Sequence, residues 1–272
     1  MQCETDKATI DYEVHGEGRP ILLLHGWTMD RHVEIFDYEK IFTARPGWRR
    51  IYPDLPGMGR SVAKVGFANQ DDVLDALLAF VDQVLPDGRF ALAGTSLGAY
   101  LARAIAARRR SRIAGLLLRV PCIFAEDARR TLPPFQALVT DPDGRADLNG
   151  LLIETPAYAQ ALKHKDDAVV QPAIRATAPI ANEIRADPKR YGFSFDLIEA
   201  EKTFDEPTLI IAGRRDTTVG YRDAWSILDS YPRATFVALD RADHGWPMET
   251  PNLLPALIDD WLARIALAER GP

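Results

Sequence analysis

Cysteine is nearly absent from these 272 residues: Cys3 near the start and Cys122 mid-chain are the only two. Their separation, with no C-x-x-C spacing, argues against a disulfide framework and against a zinc site. Cys122 reads as a buried small hydrophobe or as a group lining a pocket. Long apolar runs are also missing, and the longest fall far short of a membrane span. The opening stretch MQCETDKATIDYEV is too polar for a signal peptide. A soluble, reducing, cytoplasmic setting is therefore expected, with no membrane partner. There is no excess of basic charge. The net charge of −6 makes nucleic acid an unexpected partner. The one basic run, Arg108-Arg109-Arg110-Ser111-Arg112, follows an expected helix, where cations complement the carbonyl end and face water. No internal repeat or low-complexity segment interrupts the chain.

What is present is a rhythm. Ala8 to Val14 alternates polar and apolar residues like a strand. Ile21-Leu22-Leu23-Leu24 is wholly apolar, as suits a strand buried on both faces. Arg50-Ile51-Tyr52, Phe90 to Ala93 and Gly115 to Val120 read as further strands. Gln70 to Leu85 carries Val73, Leu74, Leu77, Leu78, Val81 and Val84 at helical spacing, with Asn69 as its cap. Leu97 to Ala107 is an alanine-rich helix. Strand and helix in alternation predict an α/β fold with a mainly parallel sheet flanked by helices.

From Pro121 to Glu206 the rhythm changes. No clear strand appears, and Pro172 and Pro179 should divide Asp166 to Ala186 into shorter helices. Strands at Thr208 to Ala212 and Ala234 to Leu239, and helices at Tyr221 to Asp229 and Asn252 to Ala266, resume the pattern. The expected organisation is a core built from 1–120 and 207–272, with 121–206 as a helical insertion.

The strongest local signal is Gly94-Thr95-Ser96-Leu97-Gly98, between an apolar strand and a helix. That sequence makes a sharp strand-to-helix turn and lifts the serine hydroxyl clear of the sheet. A serine hydroxyl is a weak nucleophile and needs a base within hydrogen-bond reach. His244 follows the last expected strand, so it lies on the edge where the functional loops of open α/β sheets gather. His15, His32 and His164 read as solvated or packing residues, and His25 as a loop brace. A carboxylate should orient the base. Asp216 sits at the end of the preceding strand, and the order Ser…Asp…His suits the motif. Asp127, Asp240 and Asp243 are the alternatives. Donors for a developing oxyanion are expected from the backbone N–H groups of Leu97 and Trp27, with Gly26 allowing close approach.

Together these pieces resemble the α/β-hydrolase superfamily. The matching segments are His25-Gly26-Trp27, Asp54-Leu55-Pro56-Gly57-Met58-Gly59-Arg60-Ser61, the Ser96 turn, Gly213-Arg214-Arg215-Asp216, and His244 followed by Glu249 and Pro251. The resemblance implies an eight-stranded sheet with a helical cap after the sixth strand. It is closest to small bacterial esterases and carbon–carbon bond hydrolases. Similar dehalogenases and epoxide hydrolases carry aspartate where Ser96 stands. The carbon–carbon hydrolases often place asparagine where Thr95 stands.

The expected activity is hydrolysis of a carboxylic ester or related acyl bond of a small, apolar substrate, without cofactor or metal. A ligand-binding receptor with a slow triad, and a cofactor-free perhydrolase or lyase, are the alternatives. Trp27, Met29, Phe124 and Trp246 are the expected substrate contacts. Phe135, Tyr158, Tyr191, Phe193 and Phe195 are further aromatics of the insertion. Arg129, Arg130, Lys163 and Lys165 read as solvated surface rather than as a carboxylate site. The sequence leaves the oligomeric state open.

Overall fold

A computed structural model describes residues 1–135, 163–240, 242–245 and 252–270. The chain opens with β1 (Gln2–Glu4), β2 (Ala8–His15), β3 (Arg19–Leu24), α1 (Arg31–Phe42), β4 (Trp48–Pro53) and β5 (Val62–Ala63). It continues through α2 (Gln70–Val84), β6 (Phe90–Thr95), α3 (Leu97–Arg108) and β7 (Ile113–Arg119). Among the described residues, short helices follow later: α4 (Gln171–Ala176), α5 (Pro179–Ala186), α6 (Pro188–Tyr191) and α7 (Leu197–Glu201). Then come β8 (Thr208–Gly213), α8 (Tyr221–Ser226), β9 (Ala234–Leu239) and α9 (Leu253–Glu269).

The sheet runs β1-β2-β4-β3-β6-β7-β8-β9, with the two-residue β5 paired to β2. From β4 to β9 every neighbouring pair is parallel, whereas β2 is antiparallel to β4. Among the described residues the continuous path has eight strands, as the resemblance implied, and β5 adds a two-residue ninth. From β3 the chain first adds β4 on one side, then crosses to place β6 on the other. Loops leaving β3 and β6 therefore diverge at a topological switch point, where open α/β sheets form their clefts. Register brings Leu24 beside Gly94 there.

Local chemistry explains the elements. Ile21 to Leu24 are all buried, as a central parallel strand requires. Asn69 and Asp72 close a reciprocal capping box at the start of α2. One core layer packs α2 and α3 on one face of the sheet through Leu74, Leu77, Phe80, Leu101 and Ile105. The other packs α1 and α9 on the opposite face through Tyr38, Phe42, Ile258, Trp261 and Ile265. No helix among the described residues is long and apolar enough to cross a membrane.

Several expectations need correction. The basic run does not simply face water: Arg110 donates to the carbonyls of Glu201 and Thr203, and Arg112 to those of Leu85 and Gly88. Pro179 does start a new helix, but Pro172 lies in the first turn of α4, directly after a π-helical turn at Asp166–Val170. Val170 and Gln171 keep helical backbone angles, so the helical path runs through Pro172 and does not divide there. The helix expected to reach Asp229 ends at Ser226, and a single 3₁₀ turn (Leu228–Ser230) follows. Between β7 and β8 the described residues contain helices and loops but no strand.

Candidate active site

Ser96 occupies the turn between β6 and α3 with φ 55° and ψ −112°, a left-handed backbone that a side chain rarely adopts. Such a residue costs on the order of 1–3 kcal/mol and persists only where its surroundings impose it. Here the surroundings are tight. A Cβ on Gly98 would collide with the Leu24 carbonyl, so only glycine lets α3 lie this close to β3. The Ser96 amide is also tied to β7, donating to the Arg119 carbonyl at 2.9 Å. Thr28 and Val120, at the ends of the neighbouring β3 and β7 segments, likewise have positive φ. Strain thus gathers on one edge of the sheet.

His244 reaches this edge from the loop after β9. Arg215 N–H donates to the Ala242 carbonyl at 2.9 Å, which binds that loop to the end of β8. A Cβ on Gly213 would strike the carbonyls of Ala242 and Asp243, so glycine is required at this crossing. Ser96 Oγ donates to His244 Nε2 at 2.9 Å, and His244 Nδ1 donates to Asp216 Oδ2 at 2.9 Å. The second oxygen of Asp216 accepts the amides of Thr218 (2.8 Å) and Val219 (2.9 Å). Burial works to raise the Asp216 pKa. The His244 charge and hydrogen bond, with the two amides, more than offset it and hold the carboxyl below its usual range. The imidazole is thereby fixed in one tautomer, with Nε2 turned to the hydroxyl.

The other carboxylates lie elsewhere. Asp127 pairs with Arg130 and Arg185, and Asp240 is largely exposed. His25 is fully buried. Its Nδ1 donates to the Gly26 carbonyl (2.7 Å) and its Nε2 accepts the Leu55 amide (2.9 Å), so it braces the loop after β3. Burial pushes its pKa down, consistent with a neutral ring. The amides of Trp27 and Leu97 donate to no group among the described residues. An added Cβ at Gly26 would meet Ser96 Cβ at 3.5 Å, an ordinary contact, so the protein atoms alone do not demand glycine there.

A cavity of about 540 Å³ opens over Ser96 and His244, within the usual range for small-molecule sites. Trp27 and Met29 line it, and so do Cys122 and Tyr191. Phe124 does not: its ring lies under the Arg129 guanidinium, 4.4 Å away, and packs on the core. Phe193 and Phe195 form a stacked ladder with Tyr100 against α3. Phe135 is exposed. Tyr158, Trp246, Glu249 and Pro251 fall outside the described residues.

The wall is less apolar than the aromatic inventory suggested, because Glu34, Arg119, Arg130, Lys165, Asp166 and Arg185 also contribute. Lys165, expected at the surface, is buried with its ammonium on Asp37. Arg130 is also enclosed, donating to the carbonyls of Phe124 and Thr218. Arg129 and Lys163 are the exposed members of the group.

The fold matches that of known proteins. A family model described as "Alpha/beta hydrolase family" covers residues 21–254. The chain belongs to the alpha/beta hydrolase family. Over 257 residues this hydrolase is 24% identical to a pimeloyl-[acyl-carrier protein] methyl ester esterase of Legionella pneumophila, covering 93% of this chain and 99% of that one. It is 26% identical to haloalkane dehalogenase 2 of Mycobacterium tuberculosis over 270 residues, 94% of this chain and 92% of the relative. Among solved structures, an alpha/beta superfamily hydrolase from Oenococcus oeni PSU-1 superposes with a TM-score of 0.81 at 23% identity, covering 98% of this hydrolase and 99% of that chain. A thermophilic esterase from Thermogutta terrifontis gives 0.69 at 23% identity, covering 97% and 99%.

Proposed function

We propose that this hydrolase cleaves a carboxylic ester or related acyl bond through a serine acyl-enzyme. The observation that carries the reading is the continuous relay from Ser96 Oγ through His244 to Asp216 at the floor of the cavity. In this reading Ser96 Oγ attacks the carbonyl carbon while its proton passes to His244 Nε2. The carbonyl oxygen takes up the electron pair and is met by the Trp27 and Leu97 amides, with the start of α3 behind them. Collapse of the adduct breaks the ester bond, and His244 returns the proton to the departing alkoxide. Water then attacks the acyl-enzyme by the same route and frees the acid. Asp216 is a positioning residue, holding the ring and stabilising the imidazolium.

Position 96 carries a hydroxyl where the similar dehalogenases carry a carboxylate. Alkyl displacement by a carboxylate is therefore not the chemistry this site supports. In this reading 121–206 is a cap insertion, which is supported by Lys165, Val170, Gln171, Arg185 and Tyr191 lining the cavity. Two measurements test the reading. A fluorophosphonate probe should label Ser96, and Ser96→Ala should lower turnover of a small 4-nitrophenyl ester by roughly 10⁴-fold or more. A folded alanine variant within tenfold of wild type would remove the serine from the mechanism.

A further inference from the structure

One wall of the cavity holds a cluster of buried charges that the relay does not use. Glu34 and Asp37 lie one turn apart on α1, on the same inward face, and both are almost fully buried. Arg119, at the end of β7, donates from Nη2 to Asp37 Oδ2 at 2.8 Å. Lys165 Nζ donates to both oxygens of the same carboxylate at 2.8 Å. Asp37 is therefore gripped by two cations, and their charges hold its pKa down against the effect of burial.

The rest of the cluster is unsatisfied. Arg119 is 4% exposed, yet its Nε and Nη1 have no hydrogen-bond partner among the described residues. Glu34 Oε1 and Thr95 Oγ1 are in the same position. The Thr95 hydroxyl lies near enough to Glu34 to favour its charged form, but outside hydrogen-bond geometry. Glu34, Thr95, Arg119 and Lys165 all line the cavity that contains Ser96 and His244. A purely structural strut would explain the grip on Asp37. It would leave two donors of a cavity-lining guanidinium buried without a protein group to bond, which native proteins seldom tolerate.

The unbonded Arg119 donors, not the net charge, point to the missing partner. Arg119, Arg130, Lys165 and Arg185 line the described cavity with Glu34 and Asp166, and Asp37 and Asp127 pair with these cations from behind. Burial pushes the Glu34 carboxyl up, and the Arg119 charge only partly opposes this. What the wall lacks is an acceptor for the two unbonded Arg119 donors. We propose that it is a subsite for a carboxylate carried by the substrate, received on the free N–H groups of Arg119 while the ester carbonyl meets Ser96. This deepens the serine-esterase reading and rests on it. Ser96 and Arg119 line the same cavity of about 540 Å³, so one small substrate can reach both.

The test compares matched esters. 4-Nitrophenyl hemiglutarate carries the carboxylate on the acyl side, and 4-acetoxybenzoate on the departing side. 4-Nitrophenyl pentanoate and methyl 4-acetoxybenzoate are their neutral counterparts. In wild type, kcat/KM should favour the anionic member of at least one pair tenfold or more, and that pair identifies the side. In Arg119→Gln the same ratio should fall at least tenfold. A wild-type ratio near one in both pairs, or a ratio unchanged in the variant, overturns the subsite.

Should the variant not fold, calorimetry on wild type supplies the answer without any turnover. Glutaramate, with one carboxylate, should bind at least tenfold more tightly than the neutral glutaramide, and equal affinity overturns the subsite. The two readings fail differently. Fluorophosphonate labelling and neutral-ester turnover without any carboxylate preference removes the subsite alone. Tight glutaramate binding with no labelling removes the serine mechanism alone.

Discussion

Ser96 combines an unfavourable backbone with a hydroxyl aimed at His244, so its conformation is maintained at the expense of stability. Ser96→Gly, which removes the Cβ that makes φ 55° unfavourable, should raise unfolding free energy by about 1 kcal/mol or more while abolishing fluorophosphonate labelling. Urea denaturation of the two proteins checks this; a glycine variant less stable than wild type would contradict it. This turn was readable because its determinants are local: two glycines, a serine, a strand before and a helix after. Asp216 and His244 were readable by a weaker route, as chemistry-bearing residues at the ends of successive strands. Arg119 and Lys165 were not. Their shared partner Asp37 lies 82 and 128 residues away in the chain, and no spacing rule spans such distances.

Helix α1 shows the same limit for a whole element. Its sequence lacks a clean apolar stripe because Arg31, Glu34 and Asp37 occupy buried positions among Val33, Tyr38, Ile41 and Phe42. The helix is held instead by polar anchors. Asp30 caps it through the His32 amide, and Arg31 donates to Asp54. A consequence for pH follows from Glu34, which faces Asp37, Arg119 and Lys165. Its pKa is raised in the fold, so above the ordinary glutamate value of about 4.3 the folded chain retains a proton that the unfolded chain releases. Stability contributed by this group therefore falls as pH rises from there to the raised value. Glu34→Gln does not titrate, so its stability relative to wild type should improve between pH 5 and pH 8, read as a shift in urea midpoint. An unchanged difference at the two pH values would show that Glu34 ionises freely.

At the scale of the molecule, the segment between β7 and β8 is fastened to the core by a second buried ion pair. Arg103 of α3, fully buried, donates through Nη2 to Glu201 Oε2 of α7 at 3.0 Å, and the Tyr231 hydroxyl donates to Oε1 at 2.7 Å. Arg103→Met strands the Glu201 charge and should cost roughly 3–5 kcal/mol, whereas adding Glu201→Leu should recover most of it. Equal stabilities for the single and double variants, measured by urea unfolding, would assign the loss to packing alone. The layered sheet on which this pair rests was legible from alternating patterns. The arrangement of the intervening helices was not, because short helices broken by proline carry little periodic signal.

The grip on Asp37 also bears on how such enzymes change selectivity over descent. One cation comes from a central strand and the other from the segment that crosses above it. A chimera that exchanged 121–206 for the equivalent stretch of a relative would import a new contour but carry away Lys165, leaving Asp37 to Arg119 alone. Charge around Asp37 is thus set by two stretches of chain that such an exchange would separate.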